Sequence, residues 1–245
     1  MLTTAPVELS DHATLLAHSD GHPVPRWHLA PEEFDRAWSL GGAVGWTAVA
    51  PHGRALFVVG PDSEAASLAA AVVDTEPVPR VVVPRDAVPH LEPLLGDGWE
   101  WVWFWTDRPP SPRPGEAAAR RLGEDDHDAL AELLRVSSPL TSVTPGDGRT
   151  RSWWGVEVDG VLVACAAEFP QAPGVWHLRG VATHPRWRGR GLGADATAAV
   201  TRAAFGHGAH AVTLGMYADN GVAWRMYERL GFQVGQEFAT RTVVR

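Results

Sequence analysis

The sequence predicts a mixed α/β protein, an α+β arrangement of helices on a mixed sheet, divided into two halves. Three observations carry this. The segment 108–115 holds four prolines in eight residues, which neither a helix nor a central strand tolerates, and it falls near the middle of the 245-residue chain. In the second half, apolar runs of strand length alternate with stretches whose apolar residues recur at helical spacing. Asp159-Gly160 lies between two of those runs and marks a β-hairpin. The expected organisation is an N-terminal α/β domain over 1–108, a proline-rich linker over 109–115 and a second domain over 116–245.

In the first half, strands are expected over 54–59 and 78–83. Helices are expected over 31–38 and 64–73, the second capped by Ser63 or Asp62. The stretch 13–20 reads either way, and the tryptophan-rich run 99–105 predicts a buried closing strand. In the second half, a short strand at 118–122 precedes a helix to Val136, capped by Asp125 or Asp126, with Leu130, Leu133 and Leu134 on one side. A flexible loop is expected over 140–150. Strands at 153–158 and 161–168 flank the hairpin turn, and a further strand runs over 175–183. Leu192, Ala196, Ala199, Val200 and Ala203 recur at helical spacing within 191–205. A strand at 211–217 and a helix at 222–230 follow, the helix bearing Ala223, Met226, Tyr227 and Leu230 on one face. A final strand over 232–244, broken near Gly235, completes the pattern.

Composition narrows the function classes. Apolar residues at 45% and charged residues at 20% are those of an ordinary globular protein. The lone Cys165 excludes an internal disulfide, fits a reducing cytoplasm, and reads as a core thiol within its apolar run. The first 20 residues lack the basic start and apolar run of a signal peptide, and no stretch approaches the length of a membrane span. Net charge is −8, and it resides in the first half: residues 1–114 carry 15 acids against 7 arginines, whereas 115–245 carry 14 of each. No nucleic-acid surface is expected from that distribution. All 21 basic residues are arginine, which reads as the codon bias of a GC-rich bacterial genome. None of the eleven histidines has metal-ligand spacing with carboxylates or cysteines, so no metal site is expected.

The most informative stretch runs from Val181-Ala182-Thr183 through Arg186, Arg188, Gly189, Arg190, Gly191, Leu192, Gly193 and Ala194. It reads as a strand end, an Arg/Gly loop and a helix start. Glycines at such a junction let backbone N–H groups point at an anion, and the helix N-terminus adds partial positive charge. Arg186, Arg188 and Arg190 supply full charges beside it. A P-loop is excluded, because its Gly-Lys-Ser/Thr cannot occur in a chain without lysine. A dinucleotide-binding reading would place the loop near a domain start, whereas here it follows a hairpin.

A second element follows: Asn220, Ala223, Tyr227, then Gly231-Phe232. With Arg188-Gly189-Arg190-Gly191-Leu192-Gly193, it resembles the GNAT superfamily of acyl-CoA-dependent N-acyltransferases. The matching patterns are Arg/Gln-x-x-Gly-x-Gly/Ala and Asn-x-x-Ala-x-x-x-Tyr-x-x-x-Gly-Phe, and the resemblance covers about 116–245. It implies a GNAT-like fold for the second half and acetyl-CoA as co-substrate, with the pyrophosphate on the backbone N–H groups of Arg188 through Ala194. It implies that pantetheine pairs with the edge at Val181-Ala182-Thr183, that Asn220 hydrogen-bonds that arm, and that Ala223 leaves room for it. Tyr227 is implied as proton donor to the departing thiolate, and the Val181 backbone N–H as oxyanion donor. The acceptor is expected to be an amine of a small molecule or peptide, and the chain a monomer or homodimer.

The general base stays open. Family members often carry a carboxylate on the strand before the phosphate loop, where this chain has Trp176-His177-Leu178-Arg179-Gly180. His177 suits proton removal near neutrality, and Glu168 on the neighbouring strand could act through water; an arrangement with no single base is the third alternative. The first half is compatible with a degenerate second copy of the same fold that shapes the acceptor cleft, or with an unrelated α/β domain. Its comparable turn carries Asp62 and Glu64, which would repel a pyrophosphate.

Overall fold

The computed structural model describes residues 5–50, 53–139, 141 and 143–244. In chain order its elements are β1 (Val7–Leu9), α1 (His12–His18), α2 (Pro23–Trp27), β2 (Ala37–Leu40), β3 (Ala43–Ala50), β4 (Gly53–Val59), α3 (Asp62–Thr75), β5 (Arg80–Pro84) and β6 (Leu95–Thr106). They continue with β7 (Ala119–Leu122), α4 (His127–Ser137), β8 (Ser152–Val158), β9 (Val161–Ala172), β10 (Val175–Thr183), α5 (Leu192–Gly206), β11 (Ala211–Tyr217), α6 (Gly221–Arg229) and β12 (Gln233–Val243). Two compact units share the chain. One comprises Met1–Trp103, Met216–Asn220 and Val234–Arg245; the other comprises Phe104–Gly215 and Gly221–Gln233.

In the first unit, β1, β2, β3 and β4 pair antiparallel in sequence order, and β5 lies parallel to β4. The strand that closes it comes from the far end of the chain. β12 pairs antiparallel with β5 from Phe238↔Pro84 to Thr242↔Arg80, and the Trp101 indole N–H of β6 donates to Thr240 Oγ1 of β12 at 2.9 Å. α3 buries Ala65, Ala66, Leu68, Ala69 and Val72 in a core shared with Leu56, Val58, Val81 and Val83.

Two local expectations for this half are corrected and one ambiguous stretch is resolved. No helix spans 31–38: Pro31–Glu33 makes one 3-10 turn, and Ala37 and Trp38 already belong to β2. α3 is capped by neither Ser63 nor Asp62, because its N-cap is Pro61 and no side chain caps it. Glu64 in its first turn instead reaches back, accepting from the Gly42 N–H at 2.6 Å. The ambiguous 13–20 region is largely helix α1, with Asp11 accepting from the Thr14 N–H as cap.

The second unit repeats the same pairing order. β7, β8, β9 and β10 pair antiparallel in sequence, and β11 lies parallel to β10. The β8–β9 turn has positive φ at both Asp159 (51°) and Gly160 (75°), as a two-residue primed turn requires, with Val158 opposite Val161. α4 lays Leu130, Leu133 and Leu134 on Trp153, Cys165, Ala167 and Phe169, each buried leucine contributing roughly 1.5–3 kcal/mol. Asp126 is its N-cap residue but makes no side-chain bond to the helix; its carboxylate accepts from the Gly123 N–H at 2.7 Å, and neither it nor Asp125 caps as expected. β12 is continuous through Gly235, without the expected break. Of the 140–150 loop, residues 140 and 142 lie outside the described residues; Asp147 accepts from the backbone N–H groups of Arg149 and Thr150.

α5 is buried over most of its circumference, and its small residues let it lie close on the sheet. The two buried threonines on it stay satisfied, since Thr197 and Thr201 donate to the Gly193 and Thr197 carbonyls at 2.7 Å. Cys165, wholly buried under α4, has its thiol pushed up to about 12 by loss of solvent, which leaves it unsuited to nucleophilic work.

Candidate active site

Strand β10 is the backbone of the site. Its parallel ladder with β11 runs from Val175↔Ala211 to Leu178↔Leu214 and ends there, while β10 continues to Thr183. On its other side the antiparallel register steps from Arg179↔Ala167 to Ala182↔Cys165, leaving two residues of β10 against one of β9. Gly180 and Val181 therefore form a bulge, and a bulge takes backbone groups out of the ladder. Gly180 has φ +59°, and a Cβ on it would lie 2.6 Å from the Trp153 ring. Only glycine fits there, next to Val181 in the bulge.

β10 leads into the Arg/Gly loop. His184 starts a 3-10 turn over Pro185–Trp187, its Nδ1 accepting from the Arg186 N–H at 3.2 Å. Gly189 and Gly191 have φ of +77° and +82°. Nothing lies within 4 Å of a Cβ built on Gly189, and only the Arg113 guanidinium, at 3.2 Å, approaches one on Gly191. Gly191 is the N-cap of α5, so no cap side chain satisfies the first N–H groups of this 15-residue helix, and no other described side chain does so. Gly193 serves packing, because a Cβ there would meet Thr183 Oγ1 at 2.5 Å. The open cradle and uncapped helix start fit a pyrophosphate.

The three loop arginines are placed differently from one another. Arg188 braces the loop, donating through Nε to the Thr183 carbonyl at 3.2 Å and through Nη2 to the Ser137 carbonyl at 3.4 Å. Arg190 stacks over the Trp187 ring at 4.5 Å, and Arg186 is exposed. The sequence reading missed Arg113, from the proline-rich segment, whose Nε donates to the buried Asp195 of α5 at 2.7 Å.

Tyr227 on α6 is 5% exposed and packed among aromatic rings, with Phe104 at 5.8 Å and Phe232 at 5.9 Å between centroids. Burial raises its phenol above the ordinary range near 10, so it stays protonated at neutral pH. Met226 beside it approaches the start of α5, its sulfur 4.0 Å from a Cβ built on Gly193. Ala223 is half-buried on the same helix. Asn220 immediately precedes α6, exposed, in the Met216–Asn220 segment that packs with the first unit.

The two candidate bases point to opposite faces of the sheet. Glu168 is opposite Leu178 and His177 opposite Phe169, and cross-strand partners share a face. His177 is buried and hydrogen-bonded through Nδ1 to Thr213 Oγ1 at 2.8 Å. Glu168 is 1% exposed; its Oε1 accepts from Ser152 Oγ at 2.7 Å, with Arg151 Nε at 3.7 Å. Its Oε2 is buried with no hydrogen-bond partner among the described residues.

Among the described residues no cluster of three or more His, Cys, Asp or Glu is placed to hold a metal ion, and no helix is long and apolar enough to cross a membrane. The family model of the acetyltransferase (GNAT) family matches residues 116–232. This chain carries a GNAT acetyltransferase domain. No curated protein sequence matches the chain. Solved structures extend the likeness beyond the GNAT domain. A GCN5-related N-acetyltransferase from Sphaerobacter thermophilus, 14% identical, aligns over 97% of this chain and 95% of its own with a TM-score of 0.59. A GNAT-family acetyltransferase from Colwellia psychrerythraea is 13% identical over 98% and 100%, at 0.58. A GCN5-related N-acetyltransferase from Kribbella flavida is 20% identical over 94% and 95%, at 0.52. At such identities the likeness concerns the fold, and it takes in the first unit as well as the GNAT domain.

Proposed function

We propose that the protein transfers an acetyl group from acetyl-CoA to a primary amine of a small molecule or peptide, by direct attack within a ternary complex. The observation that carries this is the open, uncapped start of α5 behind Gly189 and Gly191, at the end of a strand bulged at Gly180–Val181. Backbone N–H groups from Arg188 to Ala194 hold the pyrophosphate. The edge at Val181, Ala182 and Thr183 takes the pantetheine amides as an added strand would. The Val181 N–H donates to the thioester oxygen as negative charge develops there. As the amine nitrogen bonds to the carbonyl carbon and the carbon–sulfur bond breaks, the Tyr227 phenol gives its proton to the sulfur.

For the proton leaving the amine, Glu168 is the better of the two candidates, because its buried Oε2 has unused acceptor capacity. Glu168→Gln is expected to lower kcat/KM about 100-fold, with His177→Gln costing far less. The reverse pattern makes His177 the base. A cytoplasmic site of action suits a chain whose lone cysteine is a reduced, buried thiol.

The test of the function is acetyl-CoA-dependent thiol release across a panel of amines, together with calorimetric titration of the cofactor. Turnover and one CoA per chain are expected. In the first unit the comparable turn places Glu64 at the start of α3, its carboxylate on the Gly42 N–H, with Asp62 beside it. That end of the helix already holds an anion, so a second CoA would meet like charge. Tight binding without turnover on any amine would mark a non-catalytic acyl-CoA sensor, and two equivalent sites would overturn the contrast between the units.

A further inference from the structure

Arg113 lies in the proline-rich segment, yet the segment is anchored. Two ion pairs strap it along α5. At the start of the helix, Arg113 Nε donates to Asp195 Oδ1 at 2.7 Å; further along, Arg202 holds Glu116 through Nε at 2.5 Å and the Pro110 carbonyl through Nη2 at 2.9 Å. Glu116 in turn accepts from the Arg113 backbone N–H at 3.3 Å. Gly115 permits the close approach, because a Cβ there would lie 2.2 Å from Asp195 Oδ2.

This strap has an electrostatic consequence. Asp195 is a buried carboxylate, 5% exposed, in the first turn of the helix whose N-terminus forms the phosphate cradle. Alone it would oppose a pyrophosphate. Arg113 neutralises it through Nε, while no protein group among the described residues engages Nη1 or Nη2. Nη2 is 3.2 Å from the position of a Cβ on Gly191, and the side chain is about one-third exposed. A guanidinium fixed through Nε presents its remaining N–H groups as a preset fork, the geometry suited to phosphate oxygens.

We infer that Arg113 is a pyrophosphate ligand of the acetyltransferase site, delivered by the proline-rich segment and oriented by Asp195. The inference rests on the acetyl-CoA reading of the site. The readout is calorimetric affinity for CoA and for 3′-dephospho-CoA, with unfolding of the ligand-free protein as the check on folding. Arg113→Ala is expected to weaken both ligands about tenfold or more, equally, because the contact is to the pyrophosphate they share.

The double variant Arg113→Ala/Asp195→Ala removes the uncompensated carboxylate as well, and it should remain weak. Recovery of wild-type affinity in the double variant would reduce Arg113 to a counter-charge and overturn the inference, as would unchanged affinity in the single one. A loss confined to CoA would move the contact to the 3′-phosphate and also overturn it. Should Arg113→Ala not fold, Arg113→Lys keeps a cation beside Asp195 without the fork and is expected to lose affinity several-fold; no loss is the overturning result. Failure of the wild type to bind CoA would instead sink the functional reading itself.

Discussion

Tyr227→Phe is expected to lower kcat by about 10²–10³ while leaving acetyl-CoA affinity and thermal stability near wild type. The ring packs against Phe104 and Phe232, and phenylalanine preserves those contacts, so only the hydroxyl is lost. Burial is the cause of the raised phenol pKa, and it has a definite sign: the proton is retained through and beyond the ordinary tyrosine range. An alkaline fall in wild-type turnover below about pH 10 must therefore come from another group. Steady-state and single-turnover kinetics on a good acceptor decide the matter, with wild-type rates in both removing Tyr227 from the mechanism. A loss seen in single-turnover but not steady-state measurement would place product release, and not thiolate departure, in control of the rate.

Gly191→Asp should weaken acetyl-CoA at least about 100-fold, roughly 2.7 kcal/mol. Three effects act together. A side chain at φ +82° costs about 1–2 kcal/mol in backbone strain. A carboxylate at the helix start occupies the place of the anion, and it lies within reach of the Arg113 guanidinium, 3.2 Å from the new Cβ. Gly191→Ala separates these effects, because it keeps the strain without the charge and should lose less. Calorimetry on the folded variants is the measurement. Unchanged affinity in Gly191→Asp would reduce the loop to a turn.

What the sequence made legible shares one property: its signals are local. Asp159-Gly160 announces a primed turn by residue type alone, and the glycines at 189 and 191 occupy positive φ where only such residues sit easily. The bounds 175–183 and 211–217 are those of β10 and β11, because each is an apolar run ended by punctuation. β3 went unpredicted. Its sequence, AVGWTAVA, interleaves strand-favouring Val, Trp and Thr with three alanines and a glycine, so pairing on both sides reinforces a diluted local signal. The expected helix over 31–38 fails for the same reason, since Ala37 and Trp38 are claimed by the ladders to β1 and β3. Arg113 was illegible because its partner Asp195 is 82 residues away, and no local pattern joins an arginine among prolines to a helix that far downstream.

The position of β12 bears on how the molecule is made. The final strand inserts between β5 and β6, which leave the ribosome long before it. Until then Val81, Val82 and Val83 present an apolar strand with an unfilled edge, the kind of surface that recruits wrong partners. β5 and β6 must also stay apart, or separate again, when the last strand arrives. Such late, sequence-distant pairing is slow, because closing a long loop comes before any contact rewards it. The β5 edge is therefore filled only by a strand made far later in the sequence.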